Sequence, residues 1–139
     1  MSAEGQIVGT PLFLSPEQAT GDRELDPRSD LYSLGAVAYY LLTGRPPFSG
    51  ASAMAVLVAH ARDPVVPPSL ILSGIPEDLE RVVLRCLAKD AADRFTDAES
   101  LDRALGECVC SGDWDQGRAA QWWRNEGHIS HPHAAATAL

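Results

Sequence analysis

From Leu31 to Gly44, between Asp30 and Arg45, the chain runs without a charged residue. As a helix this run is about 21 Å long, short of the roughly 30 Å hydrocarbon core of a bilayer. Leu31, Leu34, Val37, Ala38, Tyr39, Leu41 and Leu42 take up most of its circumference. A helix apolar on nearly all sides belongs in a protein interior, so the spacing predicts a buried central helix around which the rest must pack. Its start falls near Ser29 or Asp30, and its stop at Gly44, ahead of Pro46-Pro47. Glycine there ends a helix without steric penalty, and proline cannot continue one.

The remaining segments supply further helices and ordered loops. Residues 1–28 carry Gly5, Gly9, Pro11, Pro16, Gly21 and Pro27, which favour extended structure and turns. One short helix is expected from Ser15, with Pro16 at its first position. Ala51 to Arg62 reads as a helix lined by Met54, Leu57, Val58 and Ala61. Asp63 to Pro76 contains Pro64, Pro67, Pro68 and Pro76 and must be a loop. Glu77 to Leu87 places Leu79, Val82, Val83, Cys86 and Leu87 at three- and four-residue intervals, the period of an amphipathic helix. Thr96-Asp97-Ala98-Glu99 has the pattern of a capping box opening a helix to about Glu107. A last helix covers Gln116 to Arg124, where Trp122 and Trp123 are expected to anchor it against the domain. No segment alternates long enough to build a sheet, so the fold class is all-α.

Composition narrows the function. Eleven basic against nineteen acidic residues leave a net charge of -8, which repels phosphate backbones and argues against nucleic acid as a partner. The start, Met1-Ser2-Ala3-Glu4-Gly5, lacks the basic and apolar regions of a signal peptide, and no segment has the length of a membrane span. Cys86, Cys108 and Cys110 are an odd set at irregular spacing, read as reduced thiols rather than a disulfide framework or zinc site. The expected location is the cytoplasm. His128, His131 and His133 lie in a polar tail with no acid to orient their rings, so no metal site is expected there. His60, the one histidine outside that tail, reads as a helix-surface residue, and no Gly-x-Ser-x-Gly is present. A hydrolase therefore fails on inventory.

Four motifs occur in order. They are Gly9-Thr10-Pro11 with Ser15-Pro16-Glu17; Ser29-Asp30-Leu31-Tyr32-Ser33-Leu34-Gly35; Leu42-Thr43-Gly44-Arg45-Pro46-Pro47-Phe48; and Cys86-Leu87-Ala88-Lys89-Asp90 with Arg94-Phe95. Together they resemble the second half of a bacterial eukaryotic-type serine/threonine protein kinase domain. The resemblance implies the helical C-terminal lobe of a protein-kinase-like fold, with the N-terminal lobe and catalytic loop absent. It implies a partial kinase domain over 1–107, followed by a helix and tail over 108–139.

By this resemblance Gly9, Thr10, Pro11 and Leu12 form the loop that receives the substrate residue following the phosphorylated serine or threonine. Thr10 bonds the catalytic aspartate of the complete domain. Glu17 pairs with Arg94 and ties that segment to the later helices. Ser15 stands where the family usually has alanine, and Ala91 where it commonly has proline. Asp30 matches the aspartate that accepts backbone N–H groups from the catalytic loop, a role suited to a carboxylate at the positive end of a helix.

Phosphoryl transfer needs parts that these residues do not supply. The sequence has no glycine-rich phosphate loop, no Val-Ala-Ile-Lys-like segment, no His-Arg-Asp and no Asp-Phe-Gly, and its one lysine is Lys89 in the last motif. ATP and magnesium are cofactors of the full-length family, with none expected in this chain, and no residue here is a candidate catalyst. The chain is expected to be inactive alone, as part of a kinase whose partner is a protein substrate. The alternative is a free-standing helical module that binds kinase substrates or a complementary kinase chain. Either way, the central helix lacks the segment that would cover Asp30, and low stability or association with another chain is expected.

Overall fold

The computed structural model describes residues 11–22 and 26–126, and every regular element among them is helical. Gly9, Thr10 and the tail histidines lie outside the described residues. A 3-10 turn over Pro11–Phe13 leads into α1, Pro16–Ala19. Then come α2, Pro27–Thr43, and α3, Ala53–Arg62. The proline-rich loop makes a 3-10 turn at Pro68–Leu70 before α4, Glu77–Cys86. A 3-10 turn at Ala91–Asp93 and α5, Ala98–Gly106, follow.

Local chemistry sets the ends of these elements. The Ser15 hydroxyl accepts from the Gln18 N–H at 3.2 Å, and the Gln18 side-chain oxygen accepts from the Ser15 N–H at 2.9 Å. This reciprocal cap starts α1 with Pro16 at its first position. Helix α2 begins two to three residues earlier than the sequence suggests. Asp26 is the true N-cap, accepting from the Arg28 N–H at 2.7 Å, and Pro27 takes the first position. An Asp-Pro pair satisfies an orphan amide and omits another, so the start is moved there. Gly44 ends α2 at φ 77°, the left-handed region in which glycine alone carries no penalty. The cap of α5 also moves by one: Asp97, not Thr96, accepts from the Ser100 N–H at 2.7 Å, and Ser100 reciprocates. A carboxylate is the stronger acceptor at the positive end of a helix.

Helix α2 is the hub. Tyr32, Ala36 and Tyr39 pack with Val83 and Leu87 in one buried cluster, flanked by Phe13, Val65 and Ile71. Leu31 joins Cys86, Phe95 and Leu101 in a second. The two helices meet closely at Gly35, where a Cβ would stand 2.5 Å from the Cys86 Cβ. Only a residue without a side chain permits that approach.

The helix is not buried all round, however. Leu34, Val37, Tyr40 and Leu41 are exposed, Leu41 by 76%. Asp30, Leu34, Val37 and Leu41 recur at intervals of four, three and four, so they form one stripe along one face. The expectation of an entirely interior helix is corrected to one that buries a single side. In α3 the buried set is Val56, Leu57, Ala59 and His60, while Met54 and Val58 are exposed. The expected lining of Met54, Leu57, Val58 and Ala61 is corrected: the helix is turned so that His60 faces the interior.

Among the described residues, those from Val109 onward form a separate unit. It contains a 3-10 turn at Val109–Gly112 and α6, Gln116–Glu126. Trp122 and Trp123 are exposed there, and their rings meet edge to face at 4.8 Å. None of the described helices is long and apolar enough to cross a membrane.

Candidate functional site

The segment from Pro11 to Ala19 is held at two points, and both depend on side chains distant in sequence. The first is Glu17. Its Oε1 accepts from Arg94 Nη1 at 2.6 Å and its Oε2 from Arg94 Nη2 at 2.9 Å, a two-pronged pair. The Ser29 hydroxyl donates to the same Oε1 at 2.6 Å. Arg94 has no exposed side-chain surface. Its Nε donates to the Ala88 carbonyl at 2.8 Å, Nη1 also to the Arg28 carbonyl at 3.0 Å, and Nη2 also to the Lys89 carbonyl at 3.1 Å. A guanidinium has five N–H groups, and each has an acceptor here. A buried charge is tolerable on that condition.

Partial burial raises the Glu17 carboxyl, but the bonds from Arg94 and Ser29 outweigh it and hold its pKa at about 2. Glu17 is therefore ionised at any physiological pH. The arrangement joins α1, the first turn of α2 and the loop after α4 at one point.

The second point is Leu12, whose carbonyl accepts from His60 Nε2 at 3.0 Å. His60 Nδ1 lies 2.8 Å from the Tyr32 hydroxyl. Since a carbonyl can only accept, Nε2 carries the proton and Nδ1 accepts from the tyrosine. His60 is fully buried, contrary to the surface position that its sequence context suggests. Two hydrogen bonds satisfy both ring nitrogens, which removes the cost of burying them. Burial lowers its pKa, so the ring is neutral. No short-range pattern marks it; the one available signal is that it follows Val56 by a helical turn.

Lys89 lies beside this pair. Its Nζ donates to the carbonyls of Ala59 at 3.2 Å and His60 at 2.9 Å, near the C-terminus of α3, and sits 4.3 Å from the Phe48 ring centroid. A cation is favoured at that end of a helix. Burial pushes its pKa down to about 8.

Of the residues singled out from sequence, the structure brings Glu17 and Arg94 into contact and places Pro11 and Leu12 at the start of the segment they anchor. Asp30 is exposed in the first turn of α2. Ser29, Tyr32, His60 and Lys89 complete the anchorage, beyond the residues that the sequence singles out.

These side chains arise in a known context. The protein kinase domain family matches residues 2–105. The chain belongs to the protein kinase domain family. Serine/threonine-protein kinase PknB of Mycobacterium tuberculosis is 47% identical over 95 residues, which are 68% of this chain and 15% of that protein. Serine/threonine-protein kinase Pkn1 of Myxococcus xanthus is 48% identical over 101 residues, 73% of this chain and 14% of that protein. Among solved structures, the twitchin kinase region from C. elegans superposes with a TM-score of 0.62 at 27% identity, over 76% of this chain and 18% of that one. The chain thus spans about 15% of the length of the curated relatives it matches. Its helical architecture is that of the kinase C-terminal lobe.

For the magnesium that the family resemblance implies in a complete domain, Glu17, Asp26 and Asp90 are each already engaged within the chain. Glu17, Asp22, Asp26 and Asp90 border one cavity of about 330 Å³. Both Glu17 oxygens are taken by Arg94, Asp26 is taken by Arg28, and Asp90 caps the turn at Ala92. No group of three metal-binding side chains occurs among the described residues.

Proposed function

We propose that this chain is the substrate-side part of a serine/threonine protein kinase, and that it performs no phosphoryl transfer alone. The observation that carries the reading is the Glu17–Arg94 fork, which fastens the segment beginning at Pro11 and Leu12 to the helical body. In this reading Gly9, Thr10, Pro11 and Leu12 receive the residue after the phosphorylated serine or threonine. Thr10 bonds a catalytic aspartate that comes from outside the 139 residues. ATP and magnesium are held by that same outside part, and the protein substrate lies across both.

The exposed stripe of α2 supports the need for such a part. Asp30 offers a carboxylate in the first helical turn, and Leu34, Val37 and Leu41 extend an apolar face from it. Large side chains aligned in this way ordinarily mark a covered surface. We assign it to the segment bearing the catalytic loop.

The test joins this chain to the ATP-binding half of the kinase domain of a relative such as PknB and follows phosphate transfer to a serine-containing protein. Transfer is expected from the joined protein and none from the chain alone. Leu34→Glu with Leu41→Glu should abolish it by blocking the covering segment. Transfer by the 139 residues alone would refute the reading. A joined protein that binds ATP yet phosphorylates nothing would instead favour a free-standing binding module.

A further inference from the structure

Two anchors hold the segment Pro11–Ala19, and they meet on one side chain. The Tyr32 hydroxyl bonds His60, and the Tyr32 ring lies 5.0 Å from the Arg94 guanidinium that grips Glu17. The Glu17 anchor is insensitive to pH above the strongly acid range, because its carboxyl is held at about 2. The Leu12 anchor is different, since it depends on a group that ordinarily titrates near neutrality. We infer that His60 is the positioning residue of this substrate-facing segment, and that the chain from Tyr32 through His60 to Leu12 is complete only while Nδ1 is unprotonated and accepts from the Tyr32 hydroxyl. The inference rests on the reading of Pro11–Leu12 as substrate-facing and names what keeps that surface in register.

The surroundings leave no place for a second proton. His60 is fully buried between the rings of Tyr32, at 5.6 Å, and Phe48, at 5.0 Å. A proton on Nδ1 would meet the Tyr32 hydroxyl, whose own hydrogen must then turn away into apolar packing. The charged groups nearby oppose it as well. The Lys89 ammonium bonds the His60 carbonyl from the loop after α4, and Arg94, just after the 3-10 turn at Ala91–Asp93, lies over the Tyr32 ring. Two carboxylates act in the neighbourhood. Glu17 is already neutralised by Arg94, and Asp63, at the end of α3, acts on Lys89.

The sign follows from burial, which with the Lys89 charge outweighs the favourable bond from the charged ring to the Leu12 carbonyl and lowers the pKa of His60 in the folded chain. The released state then binds the proton more readily than the clamped one. The clamp is complete above the free imidazole value of about 6.5 and is lost progressively as pH falls below it. Acidification should free the segment at Leu12 while Glu17 stays attached to Arg94, so the segment loosens at one end only.

Amide hydrogen exchange on the full chain, corrected for intrinsic rates, tests this at about pH 8 and about pH 5. The amides to follow are Leu14, Gln18, Ala19 and Thr20, which bond Pro11, Ser15 and Pro16 within the segment, with Leu87 at the end of α4 as the internal reference. Wild type should lose protection at Leu14 on acidification, with Leu87 unchanged. His60→Gln can still donate to the Leu12 carbonyl but does not titrate, so its protection should be flat with pH. His60→Phe fills the aromatic space without a donor and should be unprotected at both values. Equal protection of wild type at the two pH values would overturn the inference, as would a His60→Gln variant that titrates like wild type. Binding of a serine-containing peptide, measured on the same samples, should follow the Leu14 protection. If the clamp titrates and no peptide binds at either pH, the substrate assignment fails and the clamp remains.

Discussion

Replacing Arg94 by alanine removes five hydrogen bonds from one point of the fold, two to the Glu17 carboxylate and three to the carbonyls of Ala88, Arg28 and Lys89. The cost can be worked from two directions. The shift of the Glu17 carboxyl from its ordinary 4.5 to about 2 corresponds to about 3 kcal/mol at 1.36 kcal/mol per unit. The Ser29 hydroxyl supplies part of that shift and solvent reaches part of the carboxylate, so about 2 kcal/mol is left for Arg94. The three carbonyls add about 1 kcal/mol each at most, some of it recovered by entering water. The sum agrees with the roughly 3–5 kcal/mol lost when one member of a buried pair is deleted. Against a total stability of about 5–15 kcal/mol for a domain, this is a large fraction. Urea unfolding followed by helical circular dichroism should show a midpoint lower by about 1–3 M, with slope unchanged. Arg94→Lys should recover only a minor part, because an ammonium cannot fork across a carboxylate and reach three carbonyls. The folded-state pKa of Glu17 is depressed, so the pair's contribution is complete above about pH 4.5 and fades as pH falls toward 2. The gap between wild type and Arg94→Ala should therefore narrow in acid by the Glu17 share, leaving the part due to the three carbonyls. A loss below about 1 kcal/mol at neutral pH would show that the fork is not what holds α1 to the body.

Two further expectations concern the contact between α2 and α4. Gly35→Ala gains about 1 kcal/mol of helix propensity but places a Cβ 2.5 Å from that of Cys86, so the helices must separate. A net loss of about 1–2 kcal/mol is expected in the same urea assay, and an unchanged or raised midpoint would refute the close approach. The Cys86 thiol is buried and its pKa is pushed up to about 11, so it should resist alkylation at neutral pH in the folded chain, while Cys110 reacts. Mass spectrometry of the labelled peptides decides this, and equal labelling of both thiols would refute it.

Much of this chain is legible one turn at a time. Asp26-Pro27, Ser15-Pro16 and Gly44 act on backbone groups within four residues, so each helix end is close to where such signals put it. At α5 the adjacent Thr96 and Asp97 can both cap and the carboxylate prevails, while α2 starts ahead of Ser29 and Asp30 because Asp26-Pro27 satisfies its first turn. The motif order carried the family resemblance, and with it the pairing of Glu17 with Arg94 across 77 residues. No local rule yields that contact, because an isolated Glu or Arg is ordinarily a solvated charge.

His60 shows where sequence stops. Its helix could be turned toward Met54 and Val58 or toward Val56 and His60, and the apolar pattern alone did not decide between them. The choice was made by the Leu12 carbonyl, 48 residues earlier, and the Tyr32 hydroxyl, 28 residues earlier, which satisfy both ring nitrogens in the interior. The same holds for α2, whose composition says apolar on most sides but not which side is covered. The sequence by itself determined the helices, most of their ends and the family. The tertiary structure decided which faces are buried and which polar groups sit inside, because burial of a polar group depends on a partner that only the folded chain brings within reach.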